Sequence, residues 1–258
     1  MNRGPGNMLT IARYTLLEAL RNRLLSLTAI AVIAMFGLAE FIGELSITET
    51  SQVQAAISAS ILRVFSITIT CVFVISAVSR EINDKGLEII LSLPMPRYRY
   101  LAGKLFGFAG LSLLISVMAG IPLFLYAPAG PVIGWCLSLC CEQGLMAALS
   151  LVCLLAFSGL PRSFLAVMAF YLLSRSMEAI TLLSAGPVLT SGTVTWEFMR
   201  FMVTALALLL PDLHAFTRSD WLVYGVEASE IPAILIQTLL YLTVLLSGGL
   251  FDLYRKNL

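Results

Sequence analysis

Long apolar runs alternate with short polar stretches along almost the whole of this chain of 258 residues. A helix needs about 20 apolar residues to cross the hydrocarbon core of a bilayer. The pattern predicts six membrane-spanning helices, at residues 24–45, 57–79, 104–127, 132–158, 163–185 and 231–251. The predicted fold class is therefore an all-α membrane protein, and we expect one domain over residues 1–258.

One further apolar stretch, residues 201–210, is too short to cross a membrane. Runs of about 10–14 apolar residues are more often re-entrant or interfacial than transmembrane. We therefore expect a re-entrant helix within a long outer loop, residues 186–230. Three aromatic residues of that loop suit the interfacial belt at a membrane surface: Phe216, Trp221 and Tyr224. We expect His214 to be an interfacial residue rather than a metal ligand.

Apolar residues also recur at helical spacing before the first span: Leu9, Ala12, Leu16 and Leu20. Glu18 and Arg21 fall on the other side of the same helix, which is typical of an amphipathic helix in the membrane interface. The pattern predicts such a helix over residues 8–23. A helical tail in the cytosol is the alternative.

Basic residues orient the predicted spans. They cluster before the first span, between the second and third spans, and after the last span. The positive-inside rule places these three segments in the cytoplasm. The loop after the first span carries Glu40, Glu44 and Glu49 without a basic residue, so it belongs outside. Six spans with both termini cytoplasmic satisfy the rule, whereas seven would place Arg255 and Lys256 outside.

Composition agrees with a membrane protein. The chain is 59% hydrophobic and 12% charged, with a mean hydropathy of +0.93. Soluble domains average about 45–50% apolar and about 25% charged residues. The net charge of +1 offers no basic field to attract phosphates, so we expect no nucleic-acid partner.

The charged loop between the second and third predicted spans reads REINDKGLEIILSLPMPR over residues 80–97. Asn83 or Asp84 can cap a helix start. An apolar stripe follows at helical spacing and ends before a proline: Leu87, Ile90, Leu91 and Pro94. The result is a helix of about three turns with apolar side chains available to a partner. Topology alone explains the basic residues of this loop but not the capped apolar stripe.

The run R-E-I-N-D-K-G-L-E-I-I-L-S-L-P-M-P-R-x-x-x-L-A-G-K resembles a loop of ABC type-2 permeases, the membrane subunits of ATP-driven exporters. Seven residues match the family pattern: Glu81, Gly86, Glu88, Pro94, Arg97, Gly103 and Lys104. Leu87 stands where the family usually has Ser or Thr. The order of elements along the whole chain is also similar, and the stretch LLPDLHAFTRSDWLVYG more loosely resembles the branch associated with multicopper-enzyme maturation.

The resemblance implies that this loop is a coupling helix, which docks into a groove of a separate ATPase subunit. The residues implied in coupling are Glu81, Gly86, Leu87, Glu88, Ile90, Leu91, Pro94 and Arg97. The chain has no G-x-x-x-x-G-K-[ST] phosphate loop. We therefore expect no enzyme activity, catalytic residue or cofactor in this chain, with ATP and magnesium held by the partner.

The implied assembly contains two ABC ATPase (nucleotide-binding) subunits and two permeases, the second being an identical copy or a paralogue. The implied location is the bacterial cytoplasmic (inner) membrane, where the lipid membrane surrounds a multi-pass chain. A periplasmic partner at the outer loop is a further expectation. The sequence does not name the exported substrate.

Charged residues also fall within predicted spans, among them Arg63, Glu142, Arg175 and Glu178. Such residues usually face a bundle interior or a wet cavity, and they pair. Arg175 and Glu178 are close enough along one helix to form such a pair. Two interpretations stay open: a polar patch that receives substrate or gates a translocation pathway, or a static network that holds the bundle or a dimer interface.

Three cysteines lie close together in the fourth predicted span: Cys136, Cys140 and Cys141. Thiolates at this spacing can bind soft metals. Small residues at helix interfaces are the more ordinary explanation in membranes, so we expect no metal site. Two alternative functions also stay open: an ATP-independent secondary transporter, although no internal repeat is evident, and an intramembrane enzyme with His214 as its base.

Overall fold

The computed structural model describes residues 6–21, 23–45, 50–84, 96–157, 159–185, 194–227 and 229–255. Within these ranges the chain is almost entirely helical and contains no β-strand. The prediction of an all-α protein is confirmed for this part of the chain.

Nine helices lie within the described residues. Their bounds are α1 Gly6–Arg21, α2 Arg23–Leu45, α3 Thr50–Asn83, α4 Arg97–Gly120, α5 Ala129–Ala156, α6 Leu160–Ala185, α7 Val194–Leu209, α8 Trp221–Tyr224 and α9 Glu230–Arg255. Two short 3₁₀ turns, Ile121–Leu125 and Leu213–Ala215, follow α4 and α7 respectively.

Five of these helices are long and apolar enough to cross a membrane: α3, α4, α5, α6 and α9. The chain is therefore a multi-pass membrane protein. The predicted span at residues 24–45 coincides with α2. This helix is long and apolar enough to cross a membrane only when it is taken together with α1. The axes of Met8–Arg21 and Ser26–Leu38 differ by 55°, so α1 and α2 form either a broken span or a re-entrant unit.

The core lies around α5, which is the most buried of the five long helices and packs against α3, α4, α6 and α9. Trp135 and Leu139 of α5 are fully buried. The rings of Phe73 and Phe108 meet edge to face between α3 and α4, with their centroids 6.2 Å apart. The apolar surfaces of α6 and α9 are largely exposed, as expected of helices whose outer faces contact lipid.

The N-terminal helix α1 packs directly on the backbone of α4. A Cβ atom at Gly107 would lie 2.6 Å from Cβ of Thr15, and one at Gly103 would lie 3.0 Å from Cβ of Ile11. Glycines four residues apart therefore form the contact surface, as is common where membrane helices approach closely. Because α1 is built into the bundle in this way, it is not a free helical tail.

Candidate functional site

A polar segment between α7 and α9 folds back onto the bundle. We call residues 210–222 the cap segment. Leu213, Phe216 and Thr217 are fully buried against α3, α5 and α6. The expectation that Phe216 and Trp221 lie in an interfacial belt is wrong, because both side chains are buried within the protein. Tyr224, just after the cap segment, is exposed as expected.

Glu142 of α5 lies at the centre of the contact between the cap segment and the bundle, and its side chain is completely buried. Nη1 of Arg175 is 3.5 Å from Oε1 of Glu142. The hydroxyl of Thr217 donates a hydrogen bond of 2.5 Å to Oε2 of Glu142. A buried carboxylate needs both counter-charge and hydrogen-bond donors, and here Arg175 supplies charge beside Oε1 while Thr217 donates to Oε2.

Two arginines from different helices hold the backbone of the cap segment. Nη1 of Arg63 donates to the carbonyl oxygen of Thr217 over 2.9 Å. Nη1 of Arg175 donates to the carbonyl oxygen of Phe216 over 2.8 Å and also to that of Leu213. The structure thus brings together Arg63, Glu142 and Arg175, which the sequence places inside three different spans.

Thr217 is the residue on which these interactions converge. Its φ of +46° is unfavourable for a β-branched residue and costs roughly 1–3 kcal/mol. Its backbone N–H donates to Oγ of Ser138 over 2.9 Å, while its hydroxyl and carbonyl contact Glu142 and Arg63. Every polar group of Thr217 is therefore engaged, which explains how the strained conformation is maintained.

Glu178 does not join this network. Its Oε2 pairs instead with Nδ1 of His214 in the cap segment, and both side chains are about half exposed. The pair between Arg175 and Glu178 that the spacing would allow is therefore not formed. Arg175 turns towards the fully buried Glu142, whose need for a counter-charge is greater than that of a carboxylate in contact with solvent.

A second ion-pair group joins the cap segment to α9. Nη2 of Arg218 is 2.5 Å from Oδ2 of Asp220, and its Nη1 is 3.2 Å from Oε1 of Glu230. Partial burial raises the pKa of Asp220, but the hydrogen bonds from Arg218 outweigh it and hold that pKa below its usual range. The same hydrogen bonds raise the pKa of Arg218. Sequence reasoning did not identify this group.

Gln143 is a further buried polar residue that sequence reasoning missed. It follows Glu142 in the sequence and is completely buried, and neither polar atom of its amide has a hydrogen-bond partner among the described residues. Buried side-chain amides are normally satisfied, so this residue carries a cost in stability. A glutamine within a long apolar run is the only sequence signal for it.

The other end of the bundle contains the flanks of the predicted coupling loop. Arg63 and Arg80 are separated by about 26 Å along α3, at a rise of about 1.5 Å per residue. At this end Nζ of Lys104 lies 2.7 Å from Oε2 of Glu81, and both side chains are largely buried. This ion pair joins the end of α3 to the start of α4. Nη2 of Arg80 lies 2.5 Å from Oε1 of Glu18, which joins α3 to α1.

Arg97 connects the start of α4 to the C-terminal helix. It donates a hydrogen bond to the carbonyl oxygen of Leu253, and its guanidinium carbon lies 5.2 Å from the ring centroid of Tyr254. Of the eight residues implied in coupling, Glu81 and Arg97 are thus described, and both contact other helices of this chain. The remaining six lie outside the described residues: Gly86, Leu87, Glu88, Ile90, Leu91 and Pro94.

The cysteines pack as small side chains. The thiol of Cys136 lies against Gly120, where a Cβ atom would collide with it, and the hydroxyl of Ser116 donates to the carbonyl of Cys136. These contacts join α4 to α5. Among the described residues, no three His, Cys, Asp or Glu side chains are placed to hold a metal ion together.

Comparison of the sequence with protein-family models and with curated proteins gives no match. The likeness to ABC type-2 permeases therefore depends on the residues of the loop and on the order of elements along the chain.

Proposed function

We propose that this chain is the permease subunit of an ATP-driven ABC exporter in the bacterial cytoplasmic membrane. In this proposal α2 is the first of six spans, and both termini are cytoplasmic. ATP is hydrolysed by separate ATPase subunits, and two permeases form the complete exporter. The observation that carries the proposal is the motif at residues 80–104, whose apolar stripe between charged flanks is suited to docking on a partner.

The contacts around this loop support a coupling role. The pair Glu81–Lys104 joins α3 to α4 across the loop. Contacts of Arg80 and Arg97 extend the connection to α1 and α9. A force applied to the loop by a moving ATPase subunit would therefore act on four helices of the bundle. Such coupling drives transport only if the partner's binding energy differs between the two states of the permease.

The network around Glu142 has a structural role in this proposal. The Nη1 groups of Arg63 and Arg175 donate to backbone carbonyls of the cap segment. These contacts favour the interpretation that the charges hold the cap segment on the outer end of the bundle. Transport through that end would require the cap segment to move, and the network would then have to exchange partners.

The proposal is tested by purifying the tagged chain from its native membranes in mild detergent and identifying the polypeptides that co-purify, one of which should be an ATPase. We expect the two to co-purify with ATPase activity, and we expect L91D to abolish the association. L160D is the matched control, because Leu160 is an exposed leucine at the start of α6, which the proposed topology places on the same cytoplasmic side. The proposal fails if no ATPase associates with the wild-type chain, or if L91D and L160D retain it equally.

A further inference from the structure

A basic cavity of about 650 Å³ opens at the end of the bundle that contains α1. Its lining residues come from α1, from the start of α2 and from the end of α3: Tyr14, Leu17, Glu18, Arg21, Arg23 and Arg80. Among the described residues, three arginines and one glutamate line this space, and we call it the arginine cavity.

The charges of the arginine cavity are not balanced within the described chain. Glu18 is paired with Arg80. No carboxylate of the described residues forms an ion pair with Arg21 or Arg23. Both of these side chains are exposed, so their guanidinium groups are available to an anion.

A second cavity of about 440 Å³ adjoins the first and shares Tyr14, Glu18 and Arg80 with it. It adds two carboxylates, of which Glu81 is already paired with Lys104. Asp84 is the other, and it lies outside the lining of the arginine cavity. Among the described residues, the arginine cavity therefore keeps an excess of positive charge.

An apolar surface continues from the basic one along α1. Leu9 and Leu20 are exposed on this helix, and Leu17 lines the cavity itself while also being exposed. The axes of α1 and α2 differ by 55°, and the cavity lies at the turn between these two helices. A molecule with an anionic head and apolar chains can satisfy both surfaces, whereas a free anion uses only the basic one.

We propose that the arginine cavity binds the phosphate of an anionic phospholipid headgroup. Arg21, Arg23 and Arg80 supply guanidinium donors, which match phosphate oxygens in geometry and charge. The hydroxyl of Tyr14 is a further donor at the rim. Basic pockets between membrane helices on the cytoplasmic side bind such headgroups. This inference requires only membrane insertion and is independent of the proposed exporter function.

The full chain, purified in a neutral detergent, is tested by native mass spectrometry with added phosphatidylglycerol. We expect wild-type protein to retain one lipid molecule per chain, and R21Q/R80Q to retain it at least fivefold less. R13Q is the matched control, because Arg13 is an exposed arginine of the same helix outside the cavity. It should retain lipid as the wild type does.

Two further measurements distinguish a lipid headgroup from free phosphate as the ligand. Phosphatidylcholine carries a phosphate but no net negative charge, and it should be retained at least fivefold less than phosphatidylglycerol. Inorganic phosphate at millimolar concentration should not displace the bound lipid. Displacement at that concentration would overturn the lipid assignment and identify a site for soluble anions.

The proposal is overturned if R21Q/R80Q and R13Q retain phosphatidylglycerol equally. Because Arg80 also contacts Glu18, the double variant requires a check of folding by size-exclusion chromatography. If it does not fold, R21Q alone decides, since Arg21 makes no ion pair with the described residues. We expect R21Q to lower retention about threefold, and retention equal to that of R13Q would reject the site.

Discussion

Arg175 pairs with Glu142 of the neighbouring helix and not with Glu178, which stands three residues away on its own helix. The choice follows from burial, since the carboxylate of Glu142 is fully enclosed while that of Glu178 is about half exposed. Arg175 also donates to the carbonyl of Phe216. One side chain therefore compensates a buried charge and fixes the cap segment.

Replacing Glu142 tests this assignment. E142Q would leave Arg63 and Arg175 without their buried counter-charge, and removing one member of a buried ion pair typically costs about 3–5 kcal/mol. We expect E142Q to lower the free energy of unfolding by about 3 kcal/mol or more. Unfolding titrations in mixed micelles measure this difference.

E178Q is the matched control, because it removes a carboxylate that is paired at the surface. Exposed ion pairs contribute about 0–1 kcal/mol, so E178Q should change the free energy of unfolding by no more than that. Equal losses in E142Q and E178Q would contradict the view that burial makes the Glu142 pair the critical one.

The long helices could be predicted from the sequence because each apolar run must satisfy its own backbone hydrogen bonds in a bilayer. The predicted span at residues 57–79 lies within α3, and the predicted span at residues 132–158 overlaps most of α5. Nothing in the sequence places Glu142 opposite Arg63 and Arg175, but the cost of isolated charges in a bilayer predicted that they would find partners.

The cap segment could not be predicted, since its polar sequence resembles that of an exposed loop. Phe216 and Thr217 are buried because Ser138, Glu142 and two arginines satisfy the backbone around them. These partners come from three helices, so no local pattern indicates the arrangement. The contact of Gly107 with Thr15 could not be predicted from the sequence either. Two glycines four residues apart, however, are typical of close contacts between membrane helices.

Replacing Gln143 by an apolar residue should not destabilise the protein. The amide of Gln143 is buried without a partner in the part of the chain that the structure describes, and removing an unsatisfied polar group is often neutral or stabilising. We expect Q143L to leave the free energy of unfolding unchanged or to raise it by up to about 1 kcal/mol, which is the net contribution of one hydrogen bond to stability.

The control for Q143L is S138A, which removes the acceptor of the N–H of Thr217. Leaving that buried donor unpaired should cost about 1–3 kcal/mol in the same unfolding titration. A loss in Q143L as large as that in S138A would show that the amide makes an interaction essential to the fold.

The pair of Arg218 and Asp220 should make stability depend on pH in the acid range. Because the pKa of Asp220 is lowered on folding, its contribution is complete above the unfolded pKa of about 3.9 and is lost as pH falls through the lower folded value. Both side chains are more than a third exposed, so the contribution should not exceed about 1 kcal/mol.

Thermal unfolding midpoints of wild type and D220N, measured from pH 6 to pH 3, check this expectation. The wild-type advantage should be present at pH 6 and should shrink as pH falls below about 4, the pKa region of an unfolded aspartate. In an R218Q background, D220N should have no such pH-dependent effect, since the partner of Asp220 is gone. An advantage that grows towards pH 3 would contradict the sign of the pKa change.

The contact between α1 and α4 should be sensitive to a single methyl group. In G107A the new Cβ would lie 2.6 Å from Cβ of Thr15 and 2.9 Å from the carbonyl oxygen of Ala12. Backbone cannot yield as a flexible side chain does, so α1 must shift, and overpacking of this kind costs about 1–3 kcal/mol.

G144A is the matched control, because a Cβ at Gly144 in the interior of α5 meets nothing within 4 Å. It should be neutral or stabilising by up to about 1 kcal/mol. If unfolding titrations find both variants equally stable, α1 does not rest on the backbone of α4.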